Sequence, residues 1–127
     1  MTRLATRVVL GLLLVVLVGC GSSAGPAVTK VDAATAVGML GTRTVLDVRT
    51  PAEFAAGHVA GARNLDVEAP GFAAQLGALD PAGAYLVYCH SGRRSALAAE
   101  QMAKAGFGDI VDGGAMADLV AAGAPTQ

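Results

Sequence analysis

The most constraining feature of this chain is an apolar run that ends at a cysteine and is followed at once by a helical pattern. The run, Ala84 to Tyr88, has the length and composition of a buried β-strand, and Ala96 to Lys104 has the pattern of an alanine-rich helix. Cys89 therefore lies where a strand ends and a helix begins. At such a junction, free backbone N–H groups and the positive end of the helix dipole converge on one point.

The residues that join this strand to this helix suit the junction to anion binding. They include two arginines and two hydroxyl groups, in the order Cys89-His90-Ser91-Gly92-Arg93-Arg94-Ser95. A thiol held there should lose its proton readily, and the thiolate is the nucleophilic form of cysteine. The segment predicts a cysteine that attacks an anionic substrate. The alternative interpretation is an inert, buried cysteine at a strand end.

Strand-like and helix-like segments alternate along the rest of the chain. Strands are predicted at 28–31, 44–48, 62–67, 84–88 and 110–111. Helices are predicted at 33–40, 51–56, 71–79 and 93–104, and between a turn at Gly113-Gly114 and Gly123. Strands separated by helices imply an α/β fold with a mainly parallel central sheet flanked by helices. Ligands bind such sheets beyond the carboxyl ends of the strands, where Cys89 lies.

The first 19 residues have the pattern of a secretory signal peptide. Arg3 and Arg7 supply a positive start, and Val8 to Val18 is uncharged and almost wholly aliphatic. This stretch is shorter than the roughly 20 residues that span a bilayer. Leu17-Val18-Gly19-Cys20 resembles a bacterial lipoprotein processing box, which implies cleavage before Cys20, a diacylglyceryl group on its sulfur and acylation, for example with palmitate, of its amine. An ordinary signal peptide, or a short anchor with an incidental cysteine, is the alternative.

This interpretation divides the chain into a signal peptide (1–19), a lipidated Cys20 with a flexible tether (20–27) and one domain (28–127). We expect an extracytoplasmic protein that is anchored to the cell membrane as a lipoprotein. Loss of the two signal arginines leaves seven basic and ten acidic side chains, a net charge of −3, which argues against nucleic-acid binding. Cys89 would be the only free thiol, and one cysteine with two histidines offers no zinc-ligand spacing.

Two segments together resemble the rhodanese (thiosulfate sulfurtransferase) family. Asp47 to Asn64, DVRTPAEFAAGHVAGARN, is similar to its N-terminal signature, and CHSGRRS, which starts at Cys89, is similar to its active-site loop. The similarity runs from about Val28 to Pro125 and implies a rhodanese-like fold. It also implies that Cys89 takes sulfur from a donor such as thiosulfate, holds it as a persulfide and passes it to a thiol or cyanide. No cofactor is implied.

The resemblance assigns substrate binding to His90, Ser91, Gly92, Arg93, Arg94 and Ser95. Neighbouring arginines cannot point the same way from a helix start, so we expect Arg94 to hold the anion and Arg93 to be solvated. His90 is expected to shape access rather than to act as a base. His58 is expected to make a structural hydrogen bond, and Arg49 and Glu53 are spaced to pair with each other.

Two residues depart from the family pattern. Ala60 stands where the signature has proline, and Leu119 stands where the segment after Gly113-Gly114 leads into tryptophan. Both positions concern packing, and Leu119 could alter the rim of the site or the stability of the last helix.

Two other functions stay open. Phosphatases and arsenate reductases that share this fold have five residues between the loop cysteine and arginine, whereas four separate Cys89 from Arg94. That shorter loop favours sulfur chemistry. A non-enzymatic rhodanese-like module for docking or thiol sensing is the other alternative.

Overall fold

The computed structural model describes residues 25–127. The predicted signal peptide, Cys20 and most of the predicted tether lie outside the described residues. The strands are β1 (Val28–Lys30), β2 (Thr44–Asp47), β3 (Arg63–Asn64), β4 (Ala84–Cys89) and β5 (Asp109–Ala115). The helices are α1 (Ala33–Met39), α2 (Pro51–Ala56), α3 (Phe72–Leu76), α4 (Arg93–Lys104) and α5 (Met116–Ala121).

The five strands form one sheet in the order β1-β5-β4-β2-β3. All four strand pairings are parallel, which confirms the predicted α/β fold with a parallel central sheet. The carboxyl ends of β2, β4 and β5 therefore meet at one edge, because parallel strands all end on the same side. Among residues 25–127, no helix is long and apolar enough to cross a membrane.

Helices cover both faces of the sheet, because neighbouring residues of a strand point to opposite sides. On one face, Leu46 and Val87 pack with residues of α3 and α4. On the other face, Val45 and Leu86 pack with residues of α1 and α5. Cys89 belongs to the first face, and Tyr88 belongs to the second.

The predicted bounds of α2 and α4 are confirmed. Thr50 caps α2 by accepting a hydrogen bond from the Glu53 backbone N–H, and the Glu53 carboxylate accepts one from the Thr50 N–H. Pro51, at the first position of α2, needs no hydrogen-bond partner for its nitrogen there. Gly92 precedes α4 with φ of +95°, a conformation that favours glycine.

The predicted end of β5 is wrong. We expected a strand only at 110–111 and a turn at Gly113-Gly114, but β5 continues to Ala115. The pairing of β4 with β5 shifts register after Val87, where Gly113 is the extra residue. A side chain at Gly113 would meet the Leu86 side chain at 3.1 Å. The two glycines therefore form a bulge inside a strand, where Gly113 packs closely on Leu86 and Gly114 has a φ of +78° that favours glycine.

Two other segments are shorter than predicted. In place of a strand at 62–67, only Arg63–Asn64 pairs as β3, although the N–H of Leu65 still bonds to the carbonyl of Asp47 at 2.9 Å. In place of a helix at 71–79, regular structure spans Phe72–Leu76. Turns follow that helix, because the N–H groups of Ala78 and Leu79 bond to the carbonyls of Gln75 and Leu76 rather than to carbonyls four residues back.

Candidate active site

Cys89 is the last residue of β4 and lies at the carboxyl edge of the sheet. Its backbone is paired with Ala115 of β5. The N–H of Gly92 donates a hydrogen bond to Cys89 Sγ at 3.0 Å, and α4 begins at the next residue, Arg93. An N–H donor and a helix amino terminus beside the same sulfur both stabilise negative charge on it. Cys89 therefore lies between a strand end and a helix start, as predicted, and its role as the nucleophile stays a prediction.

Cys89 is nevertheless fully buried, with 0% of its surface exposed. The next two residues, His90 and Ser91, are exposed. A reaction between Cys89 Sγ and an external molecule therefore requires a local movement that exposes the sulfur.

The loop is held by contacts of its own residues. Ser95 is completely buried, and its hydroxyl donates to the carbonyl of Gly92 at 3.0 Å. A side chain at Gly92 would lie 3.8 Å from the Cα of Gly114, so the loop packs directly on the β5 bulge. The Ser95 hydroxyl thus fixes the conformation of the loop, whereas we had assigned it to substrate.

Arg94 turns towards α2 and makes a bidentate ion pair with Glu53. Its Nη1 and Nη2 lie 2.7 Å and 2.9 Å from Oε1 and Oε2 of Glu53. A second carboxylate, on Glu68, is 4.0 Å from Nη1. Hydrogen bonding by Arg94 lowers the pKa of Glu53 to about 2, and the same bonds raise the pKa of Arg94 above its ordinary value. Both groups are therefore charged at neutral pH.

The pairing of Glu53 with Arg49 that the spacing predicted is wrong. Arg49 instead holds Asp47, with its Nη2 2.6 Å from Asp47 Oδ2, and donates to the carbonyl of Gly57 at 2.7 Å. Asp47 also accepts a hydrogen bond of 2.6 Å from the Tyr88 hydroxyl. Asp47, Arg49 and Tyr88 are all buried. Arg49 meets Asp47 because it lies two residues after Asp47, the last residue of β2, so the two charged groups share one desolvated site.

The remaining predicted site residues lie at the surface or outside the loop. Arg93 and His90 are exposed. His58 follows the end of α2, and its Nδ1 is 2.9 Å from the carbonyl of Phe54. Its ring stacks on the Phe54 ring with centroids 3.7 Å apart. These contacts give His58 the structural role expected from the sequence.

Within residues 25–127, no group of three or more histidine, cysteine, aspartate or glutamate side chains is placed to hold a metal ion. The site residues that sequence reasoning missed are Glu53 and Glu68. The capping pattern of Thr50 and Glu53 was visible in the sequence. The contact of Glu53 with Arg94 was not, because it joins residues 41 positions apart.

Comparison with known proteins agrees with this geometry. The family model for the rhodanese-like domain matches residues 32–117. A thiosulfate sulfurtransferase, GlpE, from Pseudomonas putida is 42% identical over 72 residues, which are 55% of this chain and 64% of the relative. This chain therefore spans less than two thirds of the curated relatives that it matches.

Solved structures show the same architecture. A rhodanese-like domain from Anabaena sp. superposes with a TM-score of 0.68 at 26% identity and covers 77% of both chains. A rhodanese from E. coli, solved with anions, gives a TM-score of 0.56 at 26% identity and covers 68% of this chain and 98% of the other. The strand order, the cysteine loop and these matches lead to one conclusion: the chain belongs to the rhodanese-like domain family.

Proposed function

We propose that this protein is a sulfurtransferase that carries sulfur on Cys89. The Cys89 thiolate attacks the outer sulfur of a small anionic donor such as thiosulfate. A bond forms between Sγ and that sulfur, the bond inside the donor breaks, and sulfite leaves with the electron pair. An acceptor thiol or cyanide then takes the outer sulfur and returns Cys89 to the thiolate. Charge balances in both steps, and no cofactor enters either of them.

The contact between the Gly92 N–H and Cys89 Sγ is the observation that supports this proposal most strongly. A donor aimed at sulfur favours both the thiolate and the persulfide anion that replaces it. The helix α4 adds the positive end of its dipole on the same side. The relative named as a thiosulfate sulfurtransferase and the E. coli rhodanese solved with anions support the same class of chemistry.

The burial of Cys89 sets a condition on this proposal. Because Cys89 is 0% exposed, the structure around its sulfur must open locally before a donor reaches Sγ. We expect small thiol reagents to modify Cys89 slowly, at a rate set by loop opening.

The test is sulfite release from thiosulfate with cyanide as acceptor, measured for the wild type and for Cys89→Ala. Loading with thiosulfate alone should add one sulfur atom, about 32 Da, and peptide mapping should place it on Cys89 rather than on Cys20. Cys20→Ala is the matched control and should still be loaded. Turnover that survives in Cys89→Ala, or no adduct on Cys89, would refute the assignment.

A second candidate function is a rhodanese-like module that docks or senses thiols without turnover. Two observations favour it: the thiol is buried, and both terminal nitrogens of Arg94 are already held by Glu53. The same assay separates the two functions. A stable Cys89 adduct without sulfite-producing turnover would support the non-enzymatic module.

The cell location is a separate proposal, and it depends on the sequence around Cys20. We propose that the protein is exported and anchored to the outer face of the cell membrane by lipid on Cys20. Metabolic labelling with a palmitate analogue in a bacterial host should label the wild type and Cys89→Ala equally. Cys20→Ala should lose the label and leave the membrane fraction. A labelled Cys20→Ala protein would contradict the proposal.

A further inference from the structure

Asp112 is a nearly buried carboxylate on β5 to which the proposed sulfur transfer gives no role. It is 3% exposed and comes immediately before the β5 bulge. Burial of a carboxylate costs free energy unless charged or hydrogen-bonded partners offset the loss of water. The partners of this carboxylate therefore show what it holds in place.

The Asp112 carboxylate contacts two groups within residues 25–127. Its Oδ1 accepts a hydrogen bond from the Gly114 N–H at 3.0 Å, and its Oδ2 lies 3.5 Å from Nζ of Lys30. The Lys30 side chain is 69% exposed, so solvent weakens the ion pair. The hydrogen bond to Gly114 is charge-assisted and shorter. We therefore take it as the contact that matters.

The β5 bulge decides which residue of β5 lies beside Cys89. In a regular ladder Cys89 would pair with Gly114, but the extra residue Gly113 makes Ala115 its partner. Gly114 itself has a φ of +78°, and the side chain of Asp112 bonds to its N–H from two residues back. Such a local bond from an aspartate to the backbone favours an irregular conformation over a regular strand.

The β5 bulge also supports the Cys89 loop. A side chain on Gly92 would lie 3.8 Å from the Cα of Gly114 and 3.9 Å from the backbone nitrogen of Ala115, so the loop rests on the backbone of the bulge. The N–H of Gly92 in turn donates to Cys89 Sγ at 3.0 Å. A continuous series of contacts therefore leads from Asp112 through the bulge and the loop to the sulfur.

We propose that Asp112 is a positioning residue for sulfur transfer. Its carboxylate holds the Gly114 N–H, the bulge supports Gly92, and the Gly92 N–H is thereby kept at Cys89 Sγ. The inference rests on the proposed function of Cys89. In this role Asp112 needs no contact with the sulfur donor or acceptor, because it acts through the N–H that stabilises negative charge on Sγ.

Four substitutions separate the hydrogen bond of Asp112 from its charge. Asp112→Ala and Asp112→Val remove both contacts, and valine suits a buried strand position should alanine fail to fold. Asp112→Asn keeps a carbonyl oxygen for the Gly114 N–H but removes the charge. Lys30→Met removes only the ion pair. We expect the last two variants to behave as the wild type does.

The first measurement is the rate at which Cys89 takes up sulfur. Each protein is mixed with excess thiosulfate, and growth of the persulfide mass is followed in time. Asp112→Ala and Asp112→Val should react about tenfold more slowly, because small displacements near a reacting atom are costly. Asp109→Ala is the matched control and should react at the wild-type rate. Asp109 is also on β5 and pairs with Arg43 at 2.6 Å, but it lies at the other end of the strand.

The second measurement follows the Gly92 amide signal in a nitrogen–proton correlation spectrum, which reports on the contact with Sγ without any turnover. This signal should move in Asp112→Ala and Asp112→Val. It should keep its position in Asp112→Asn and Asp109→Ala. Rescue by asparagine separates positioning through the hydrogen bond from a general loss of stability.

The outcomes separate this inference from the proposed function. A tenfold loss of rate in Asp112→Asn would overturn the inference, because asparagine keeps the bond to Gly114. A Gly92 signal that stays in place in Asp112→Ala or Asp112→Val would also overturn it, even if sulfite is released normally. A signal that moves as expected, in a protein whose wild type takes up no sulfur, would refute the proposed function alone.

Discussion

In the proposed sulfur transfer, Arg94 is the residue whose surroundings should most affect donor binding. Its guanidinium group lies near the Cys89 loop, but both terminal nitrogens bond to the Glu53 carboxylate. An anionic donor that bound Arg94, as we propose, would compete with Glu53 for the same hydrogen bonds. A bidentate arginine–carboxylate pair is among the stronger charge-assisted contacts in proteins, so this competition should weaken donor affinity.

We predict that Glu53→Gln lowers the KM for thiosulfate about two- to fivefold, because a neutral amide releases positive charge to the donor. Steady-state sulfite release at several thiosulfate concentrations measures the change. Glu68→Gln is the control, since Glu68 lies 4.0 Å from Arg94 and should have a smaller effect. A higher KM in Glu53→Gln would show that Glu53 instead holds Arg94 in its working position.

The helix and strand bounds show which local signals are reliable. The starts of α2 and α4 were predictable because Pro51 and Gly92 mark helix starts by their own backbone chemistry. The end of β5 was not, since Gly113-Gly114 reads as a turn when only neighbouring residues are considered. Its pairing with β4, which continues beyond the bulge to Gly114 and Ala115, depends on residues far along the chain.

The two departures from the family pattern have local structural explanations. The N–H of Ala60 donates to the carbonyl of Pro125 at 2.8 Å, a bond that proline could not make. Leu119 is fully buried and packs in the cluster that includes Ala36 and Leu86. Position 119 is therefore part of the core beneath α5 rather than of the rim of the site.

We predict that Leu119→Ala lowers the free energy of unfolding by about 2–4 kcal/mol, the cost of removing a buried leucine and leaving a cavity. Val120→Ala is the matched control, because Val120 is the next residue of α5 but is 43% exposed. Val120→Ala should lower the free energy of unfolding by less than about 1 kcal/mol. Urea denaturation of both variants measures the difference, and equal losses would contradict this account of α5.

Backbone hydrogen bonds hold both ends of the described chain to the rest of the molecule. β1 forms one edge of the sheet through β5, and the last residues pair with the loop before β3. There, the N–H of Gln127 bonds to the carbonyl of His58 at 2.9 Å, and the N–H of His58 bonds back at 2.9 Å. The parallel α/β layout was predictable from the alternation of patterns. The contacts that cross the molecule, such as Glu53 with Arg94, were not.

The Glu53–Arg94 pair also gives the whole fold a predictable response to acid. Arg94 lowers the pKa of Glu53 from 4.5 to about 2, so the folded state binds this proton less readily than the unfolded state. The stabilisation that the ionised Glu53 carboxylate gives to the folded state is therefore complete above about pH 5, and it is lost as the pH falls through 2. Since Glu53 is partly exposed, we expect it to contribute only about 1 kcal/mol at neutral pH.

We predict that wild type and Glu53→Gln differ in unfolding free energy at pH 7 and converge as the pH is lowered from 5 to 2. Urea denaturation at a series of pH values measures both curves. Glu100→Gln is the control, because the exposed bond from Lys104 to Glu100 is screened by solvent and should add little. A wild-type advantage over Glu53→Gln that stays constant down to pH 2 would show that the amide disturbs packing, and that the ion pair with Arg94 adds nothing to the fold.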